Sequence, residues 1–114
     1  MKKIKRAFFP GYKEYKSQQY EAAYPKLLAE AERGNAEAQC MIGTLYQLGL
    51  GTEADDDKAI EWYERSGEQG YCVANNNLAG MLAVRGQKEE ALRLYRLSRE
   101  QGFIHGPNLK ERWF

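Results

Sequence analysis

The fold of this chain is decided by residues 35–70, which read NAEAQCMIGTLYQLGLGTEADDDKAIEWYERSGEQG. Apolar residues recur every three or four positions from Ala36 to Leu48 and again from Asp56 to Glu68, which places them on one face of each of two helices. Gly70 follows the second helix, and glycine accepts the left-handed conformation in which helices commonly end. This stretch therefore predicts a pair of antiparallel helices.

A second copy of this pair follows in the chain. The segment KAIEWYERS at 58–66 matches EALRLYRLS at 90–98, and a more diverged copy, AAYPKLLAE, lies at 22–30. The first helix also recurs over about 73–84, and the second is predicted over about 88–101. Helix pairs of this length stack on one another into a solenoid.

The repeats predict an all-α fold, namely a short right-handed α–α superhelix (solenoid) of antiparallel helix pairs. About 2.5 repeats and a C-terminal capping helix form one single domain. The predicted parts are a basic aromatic arm at 1–16, an N-terminal half repeat or capping helix at 17–34, repeat 1 at 35–70, repeat 2 at 71–102 and a cap helix at 103–114. Pro25 lies inside the half repeat, and we expect it to kink that helix or to mark its start.

Composition limits the chemistry available to the chain. Its 114 residues are 43% hydrophobic and 29% charged, which is typical of a globular domain. One histidine, His105, and two cysteines, Cys40 and Cys72, are too few for a multi-histidine metal site, a cysteine-rich zinc site or a disulfide scaffold. No nucleophile, base and orienting group can be assembled, so we expect no enzyme activity, no cofactor and no metal.

Targeting signals are also weak. The basic start is followed by only three apolar residues, Ala7-Phe8-Phe9, which are too few for a signal peptide. No apolar run of about 18 residues is present, and two isolated thiols suit a reducing compartment. We therefore expect a cytoplasmic protein without a membrane segment.

The loop from Leu48 to Asp57 contains the four residues by which the two units differ in length. Its Gly-x-Gly sequence followed by three aspartates raises the alternatives of a phosphate loop or a cation site. A phosphate loop carries a lysine next to a hydroxyl residue after a strand, and an EF-hand spaces its ligands more widely. We interpret this segment as an inter-helix loop with an acidic helix cap.

Charge is distributed unevenly. Residues 1–16 hold six basic residues and one acidic residue, whereas the other 98 residues hold 11 basic and 15 acidic ones. The aromatic residues Phe8, Phe9, Tyr12 and Tyr15 are interleaved with the basic ones, a pattern that can bind single-stranded nucleic acid. The favoured interpretation is a solubilising, partly disordered arm whose aromatic rings fold back on the body, because the acidic body repels phosphate.

Repeat 1 resembles a Sel-one-like repeat, a subclass of the tetratricopeptide-like α-solenoids, through Asn35–Tyr46, Gly49–Gly51, Asp55, Lys58–Tyr63 and Gly70. The resemblance covers roughly residues 17–102. It implies a protein-interaction scaffold without catalysis of its own. Bacterial proteins that resemble it serve as adaptors, as envelope or effector-associated factors, and as immunity proteins that neutralise a toxin.

Repeat 2 departs from the pattern in two places, since it lacks the Gly-x-Gly loop and has Leu94 where repeat 1 has Trp62. The positions expected to build the repeat core are Ala38, Ile42, Gly43, Leu45, Tyr46, Ala59, Ile60, Trp62, Tyr63, Gly70, Leu78, Ala79, Met81, Leu82, Ala91, Leu92, Tyr95 and Gly102, with Leu27 from the half repeat. The first helices of a solenoid line its concave side.

Similarity to tetratricopeptide grooves predicts the residues that face a partner. These are Glu37, Cys40, Thr44, Gln47, Asn76, Gly80 and Ala83. Asn76 is the best single candidate, because a side-chain amide donates to and accepts from a peptide backbone at once. The alternative is that Asn75-Asn76-Asn77 only cap or solvate their helix. Both cysteines are interpreted as small structural thiols.

The predicted function is that of a non-catalytic adaptor whose groove binds a peptide or protein loop. One alternative is an immunity protein or inhibitor of a toxin enzyme, and a weaker one is nucleic-acid binding through the arm. Within the tail, Leu109 and Trp113 are predicted to cover the last repeat. Alternatively, Trp113 and Phe114 form an apolar patch that binds a partner or a second copy of the chain as a homodimer.

Overall fold

A computed structural model describes residues 9–103 as a row of α-helices without strands in that range. The helices are α1 (Tyr12–Lys16), α2 (Tyr20–Glu32), α3 (Ala36–Leu48), α4 (Asp56–Glu68), α5 (Cys72–Val84) and α6 (Lys88–Glu100). Each helix packs on the next one along the chain. The predicted all-α solenoid of helix pairs is confirmed.

The predicted bounds of α3 to α6 agree with the structure to within one residue, whereas the short helix α1 lies in the arm that was expected to be partly disordered. Repeat 1 begins and ends its helices as expected, whereas α5 begins at Cys72 and α6 ends at Glu100. The side chain of Asn35 accepts a hydrogen bond from the Ala38 amide, and that of Asp55 accepts one from the Lys58 amide, at 3.0 and 3.1 Å. These caps satisfy donors that a helix leaves unpaired at its start. The acidic cap expected before α4 is thus present.

The N-terminal part of the described chain is folded onto α2. A side chain at Gly11 would collide with Leu27, since its Cβ would lie 2.8 Å from the Leu27 Cγ. Pro25 is the sixth residue of α2 and is exposed, so the expectation that it marks the start of this helix is wrong. The first turn of α2 is formed by the residues from Tyr20 onward. Proline has no backbone N–H, and the carbonyl that this leaves without its helical donor is tolerated more easily on the exposed side of the helix.

The core runs through both repeats and the half repeat. Most of the predicted core positions are buried, from Leu27 in α2 to Ala91 in α6, whereas Gly70 and Gly102 are exposed because they follow the ends of α4 and α6. Ile60, Leu92 and Tyr95 are only half-buried, because they lie at the border between the buried and the exposed face of α4 and α6. Leu94 was expected to mark a departure from the repeat, yet it is 4% exposed and fills the place of Trp62 in repeat 2.

Repeat 1 is tied together by polar side chains that bridge three helices. Gln39 of α3 donates to the carbonyl of Ala31 in α2 at 3.0 Å and accepts from Gln69 at 3.0 Å. The Ser66 hydroxyl of α4 donates to the carbonyl of Ala36 at 2.7 Å. These bonds satisfy polar groups that would otherwise be costly to bury.

Repeat 2 contains the same arrangement. Asn75 of α5 donates to the carbonyl of Gly67 in α4 at 3.5 Å and to Gln101 at 2.9 Å. The Ser98 hydroxyl donates to the carbonyl of Cys72 at 2.7 Å. Gly67 leaves no room for a Cβ, which would collide with the Asn75 amide. Asn75 is therefore a structural residue and not a surface contact.

The Gly-x-Gly loop packs against the preceding half repeat. Gly51 has a φ of +74°, and a Cβ there would collide with the carbonyl of Tyr20 in the first turn of α2. Gly49 ends α3 in the left-handed region, with a φ of +69°. The four extra residues of repeat 1 thus support the junction with α2, which agrees with the interpretation as an inter-helix loop.

The domain boundaries remain predictions. The proposed arm ends where α1 ends, at Lys16, and the half repeat contains α2. Leu109, Trp113 and Phe114 of the predicted tail, the single His105 and Phe8 of the arm lie outside the described residues. Gly70 and Gly102 follow α4 and α6 with φ of +88° and +110°, as expected of residues that end helices.

Candidate binding cleft between the first helices

A cleft of about 430 Å³ lies between the first helices of the two repeats, α3 and α5. It is referred to below as the α3–α5 cleft. Its lining residues are Gln47, Leu48, Asp56, Asn76, Asn77, Gly80, Met81, Val84, Arg85 and Tyr95. The structure thus brings together three of the seven predicted contact residues, which are Gln47, Asn76 and Gly80.

Gln47 is held in place by the second helix of its own repeat. The Tyr63 hydroxyl donates to its Oε1 at 2.8 Å and lies 3.0 Å from the Thr44 hydroxyl. Burial raises the pKa of Tyr63, so this hydroxyl stays protonated and remains a donor. With its oxygen engaged, Gln47 presents its NH₂ group as a donor.

The cleft is lined by glycine at a position where repeat 1 carries a larger residue. Gly80 lies 36 residues after Thr44 and occupies the corresponding position of α5. A Cβ at Gly80 would lie 3.5 Å from the Tyr95 hydroxyl, which is ordinary contact. Glycine at this position therefore widens the cleft beside Tyr95.

Asn76 differs from its neighbours in its hydrogen bonding. Asn75 is engaged with Gln101, and Asn77 donates to the Cys40 sulfur at 3.9 Å. The Asn76 Oδ1 is buried, yet within residues 9–103 no group donates a hydrogen bond to it. A buried acceptor without a donor is uncommon in folded proteins and calls for a reason.

Two aliphatic side chains stand at the rim of the cleft. Leu48 and Val84 are 61% and 90% exposed, and they are the large hydrophobic residues that stand exposed in the described part of the chain. They end α3 and α5, respectively, and lie 36 residues apart, at the same position of the two repeats. Neither residue was among the predicted contact residues, although their recurrence at one repeat position is visible in the sequence.

Comparison with known proteins identifies the repeat. The sequence model of the Sel1 repeat matches residues 36–71 and 73–103, which together exceed half of the chain. The chain belongs to the Sel1 repeat family. Members of this family are generally non-catalytic helical scaffolds for protein interaction. The resemblance inferred from repeat 1 is therefore confirmed.

Several relatives share the Sel1 repeats. The Sel1-repeat-containing protein YjcO of Escherichia coli K12 is 31% identical over 98 residues, covering 73% of this chain and 43% of the relative. A putative sel1-like repeat-containing protein, L21, of Acanthamoeba polyphaga mimivirus is 28% identical over 83 residues, covering 73% of this chain and 16% of the relative. This chain thus spans less than half the length of these relatives.

A solved structure shows the same architecture. The crystal structure of a Sel1 repeat protein from Oxalobacter formigenes superposes with a TM-score of 0.74 at 35% sequence identity. The match covers 82% of this chain and 40% of that one. The Sel1 helix pairs described above are therefore those of an experimentally known solenoid.

The other predicted contact residues lie away from the α3–α5 cleft. Glu37 lines a separate depression beside Tyr71 at the start of the first Sel1 unit. Thr44 is engaged with Tyr63, and Ala83 is half-buried. Cys40 is only 5% exposed, which leaves it little surface for a partner.

Cys40 also lacks the chemistry of a reactive thiol. Burial raises its pKa to about 12, and the nearby Glu37 carboxylate acts in the same direction. A thiol of this kind stays protonated near neutral pH and is a poor nucleophile. Within the described residues no group of three or more histidine, cysteine, aspartate or glutamate side chains could hold a metal ion. No helix in the described part is long and apolar enough to cross a bilayer.

The described aromatic residues of the arm pack on the Sel1 body. Phe9, Tyr12 and Tyr15 are half-buried against the core, and the Tyr15 ring meets the Tyr20 ring edge-on at 5.9 Å. Burial raises the pKa of Tyr15, while a hydrogen bond from Thr44 acts to lower it, so the two hydroxyls are neighbours. Tyr15 thus covers the part of α3 that precedes Gln47.

Proposed function

We propose that this chain is a non-catalytic scaffold that binds a peptide or a loop of another protein in the α3–α5 cleft. The observation that carries the proposal is the buried and unpaired Oδ1 of Asn76 in a cleft between first helices. Once the Asn76 amide turns about its Cβ–Cγ bond, a partner that donates a hydrogen bond would satisfy an acceptor to which no group within residues 9–103 donates.

The surroundings of Asn76 support a protein partner. Gln47 adds a donor that Tyr63 holds in position, and Leu48 and Val84 add apolar surface at the rim. Interfaces combine a few oriented polar groups with apolar contacts in this way. Because Cys40 is buried and its thiol stays protonated, the cysteine among the predicted groove residues is a poor nucleophile, which favours a role in recognition.

The proposal is tested by blocking the cleft. Peptides are selected from a phage-displayed library of linear 12-residue sequences on the wild-type protein, and their affinities are measured by fluorescence polarisation. Gly80→Trp fills the space before Tyr95, whereas Glu61→Trp places the same ring on the exposed side of α4 as a matched control. We expect selected peptides to lose at least about tenfold in affinity on Gly80→Trp and to keep it on Glu61→Trp.

Two smaller substitutions refine the test. Asn76→Ala and Gln47→Ala should each weaken binding about five- to tenfold, with the melting curve by circular dichroism unchanged within a few degrees. Peptides that bind Gly80→Trp as tightly as the wild type would place the binding surface elsewhere on the solenoid and refute the proposal.

A further inference from the structure

We infer that the α3–α5 cleft takes an internal, extended segment of a partner protein that carries an aliphatic side chain, and that it rejects a C-terminal carboxylate. The inference rests on the proposed function and specifies the chemistry of the partner. It is carried by the hydrogen-bonding groups of the cleft, by its charges and by its apolar rim.

The hydrogen-bonding groups match a peptide unit. Asn76 Oδ1 needs a donor, and Gln47 offers an NH₂ group because its Oε1 already accepts from Tyr63. A peptide unit presents one N–H donor and one C=O acceptor. The Asn76 amide reaches such a group by turning about its Cβ–Cγ bond, a torsion with broad, shallow preferences. A carboxylate accepts only and leaves Asn76 Oδ1 unpaired.

The charges of the cleft oppose an anion. Arg85 is the cationic residue among those lining the cleft, and it is paired with Asp57 at 3.2 Å. Asp56 adds a negative charge to the lining. Leu48 and Val84 are the last residues of their helices, and helix C-termini carry partial negative charge. A terminal carboxylate would therefore meet a cation that is already paired, together with the negative charge of Asp56 and of the two helix ends.

The apolar rim selects the side chain. Leu48 and Val84 occupy one repeat position in the two units and stand exposed beside a floor that includes Met81. An aliphatic side chain placed between them removes apolar surface of both from water. The bound segment is short, because Tyr15 covers the surface of α3 before Gln47.

The inference is tested with two pools of synthetic pentapeptides of randomised sequence, identical except that one ends in an amide and the other in a free carboxylate. Both pools carry an acetylated N-terminus, and binding to the immobilised wild-type protein is measured by sequencing the retained peptides. We expect retention of the amidated pool with enrichment of Leu, Ile, Val and Met at one position. When the tightest-binding peptide is synthesised so that it ends in a free carboxylate at the peptide unit that contacts Asn76 and Gln47, we expect its affinity to fall at least fivefold.

Variants of the cleft then separate the contributions. Asn76→Leu removes the hydrogen-bond acceptor while keeping a side chain of similar volume. Methylation of the peptide nitrogen that donates to Asn76 should therefore weaken binding to the wild type. The same methylation should not weaken binding to Asn76→Leu any further. Leu48→Gln together with Val84→Thr should remove the aliphatic enrichment. Glu61→Gln, on the exposed side of α4, serves as the matched surface control.

The outcomes distinguish this inference from the proposed function. Tighter binding of the carboxylate pool that is still lost on Gly80→Trp would refute the inference and leave the proposed cleft standing. Amidated peptides that bind Gly80→Trp undiminished would refute the proposed function. A concentration-dependent dimer in analytical ultracentrifugation that Leu48→Gln with Val84→Thr abolishes would make a second copy the occupant and would also refute the inference.

Discussion

Gly43 is the residue at which the close contact between α3 and α4 is tested most directly. A Cβ at this position would lie 2.7 Å from two ring carbons of Tyr63 and 3.2 Å from a third. The ring cannot move aside easily, because Tyr63 is fully buried and its hydroxyl is bound to Gln47 and Thr44. Gly43→Ala therefore forces a shift of a rigid part of the core.

The magnitude follows from two opposing effects. Overpacking a core by one methyl group costs up to about 3 kcal/mol, and the better helix propensity of alanine returns about 1 kcal/mol. We expect Gly43→Ala to lower the free energy of unfolding by about 2 kcal/mol, or the melting temperature by roughly 8 °C. Urea unfolding followed by circular dichroism measures this change, and the slope of the transition should be unaltered.

Gly80→Ala is the matched control on α5. Its Cβ would lie 3.5 Å from the Tyr95 hydroxyl, so only the helix propensity changes and the protein should gain about 0.5–1 kcal/mol. The double variant Gly43→Ala with Tyr63→Leu should be no less stable than Tyr63→Leu alone, because the obstructing ring is gone. A Gly43→Ala protein as stable as the wild type would refute the reasoning about this contact.

Three further predictions concern other parts of the fold. Gly51→Ala should destabilise the protein by at least about 1 kcal/mol more than Gly86→Ala in thermal melts, because both have positive φ but only Gly51 faces the backbone of α2. Asn75→Leu should lower the free energy of unfolding in urea by about 1–3 kcal/mol, because it removes the hydrogen bonds that tie α5 to α4 and to the end of α6. A decrease of less than about 0.5 kcal/mol would contradict this structural role. Burial raises the pKa of Cys40 from its usual 9.0 to about 12, so the stabilisation that its neutral thiol provides is complete below pH 9 and is lost as the pH rises toward 12. In a series of thermal melts at increasing pH, Cys40→Ala should therefore lose less stability at alkaline pH than the wild type. An equal loss in both proteins would contradict this contribution of Cys40.

Part of the candidate site was predictable from the sequence. Gln47, Asn76 and Gly80 were placed in one groove from their positions in the first helices, and the structure brings them together. Leu48 and Val84 were missed, because their exposure depends on how far each helix extends beyond its neighbour. The sequence also could not predict that the Asn76 Oδ1 is buried without a donor within residues 9–103, since burial and hydrogen-bond partners are determined only when α3, α5 and α6 pack together.

The sequence by itself determined the helices α3 to α6 and their order. Apolar spacing, the caps at Asn35 and Asp55 and the glycines after each unit are local properties, so both helices of repeat 1 could be delimited to the residue. Tertiary packing decided which side chains of each helix are buried and which are exposed. Cys40 has a first-helix position like that of Gln47, yet neighbouring helices bury it. Asn75 and Asn76 are adjacent residues of the same type, yet Asn75 donates to Gln101 whereas the Asn76 Oδ1 finds no donor within residues 9–103. Neighbouring positions on a helix point in different directions, so what each side chain meets depends on the helices that pack against it.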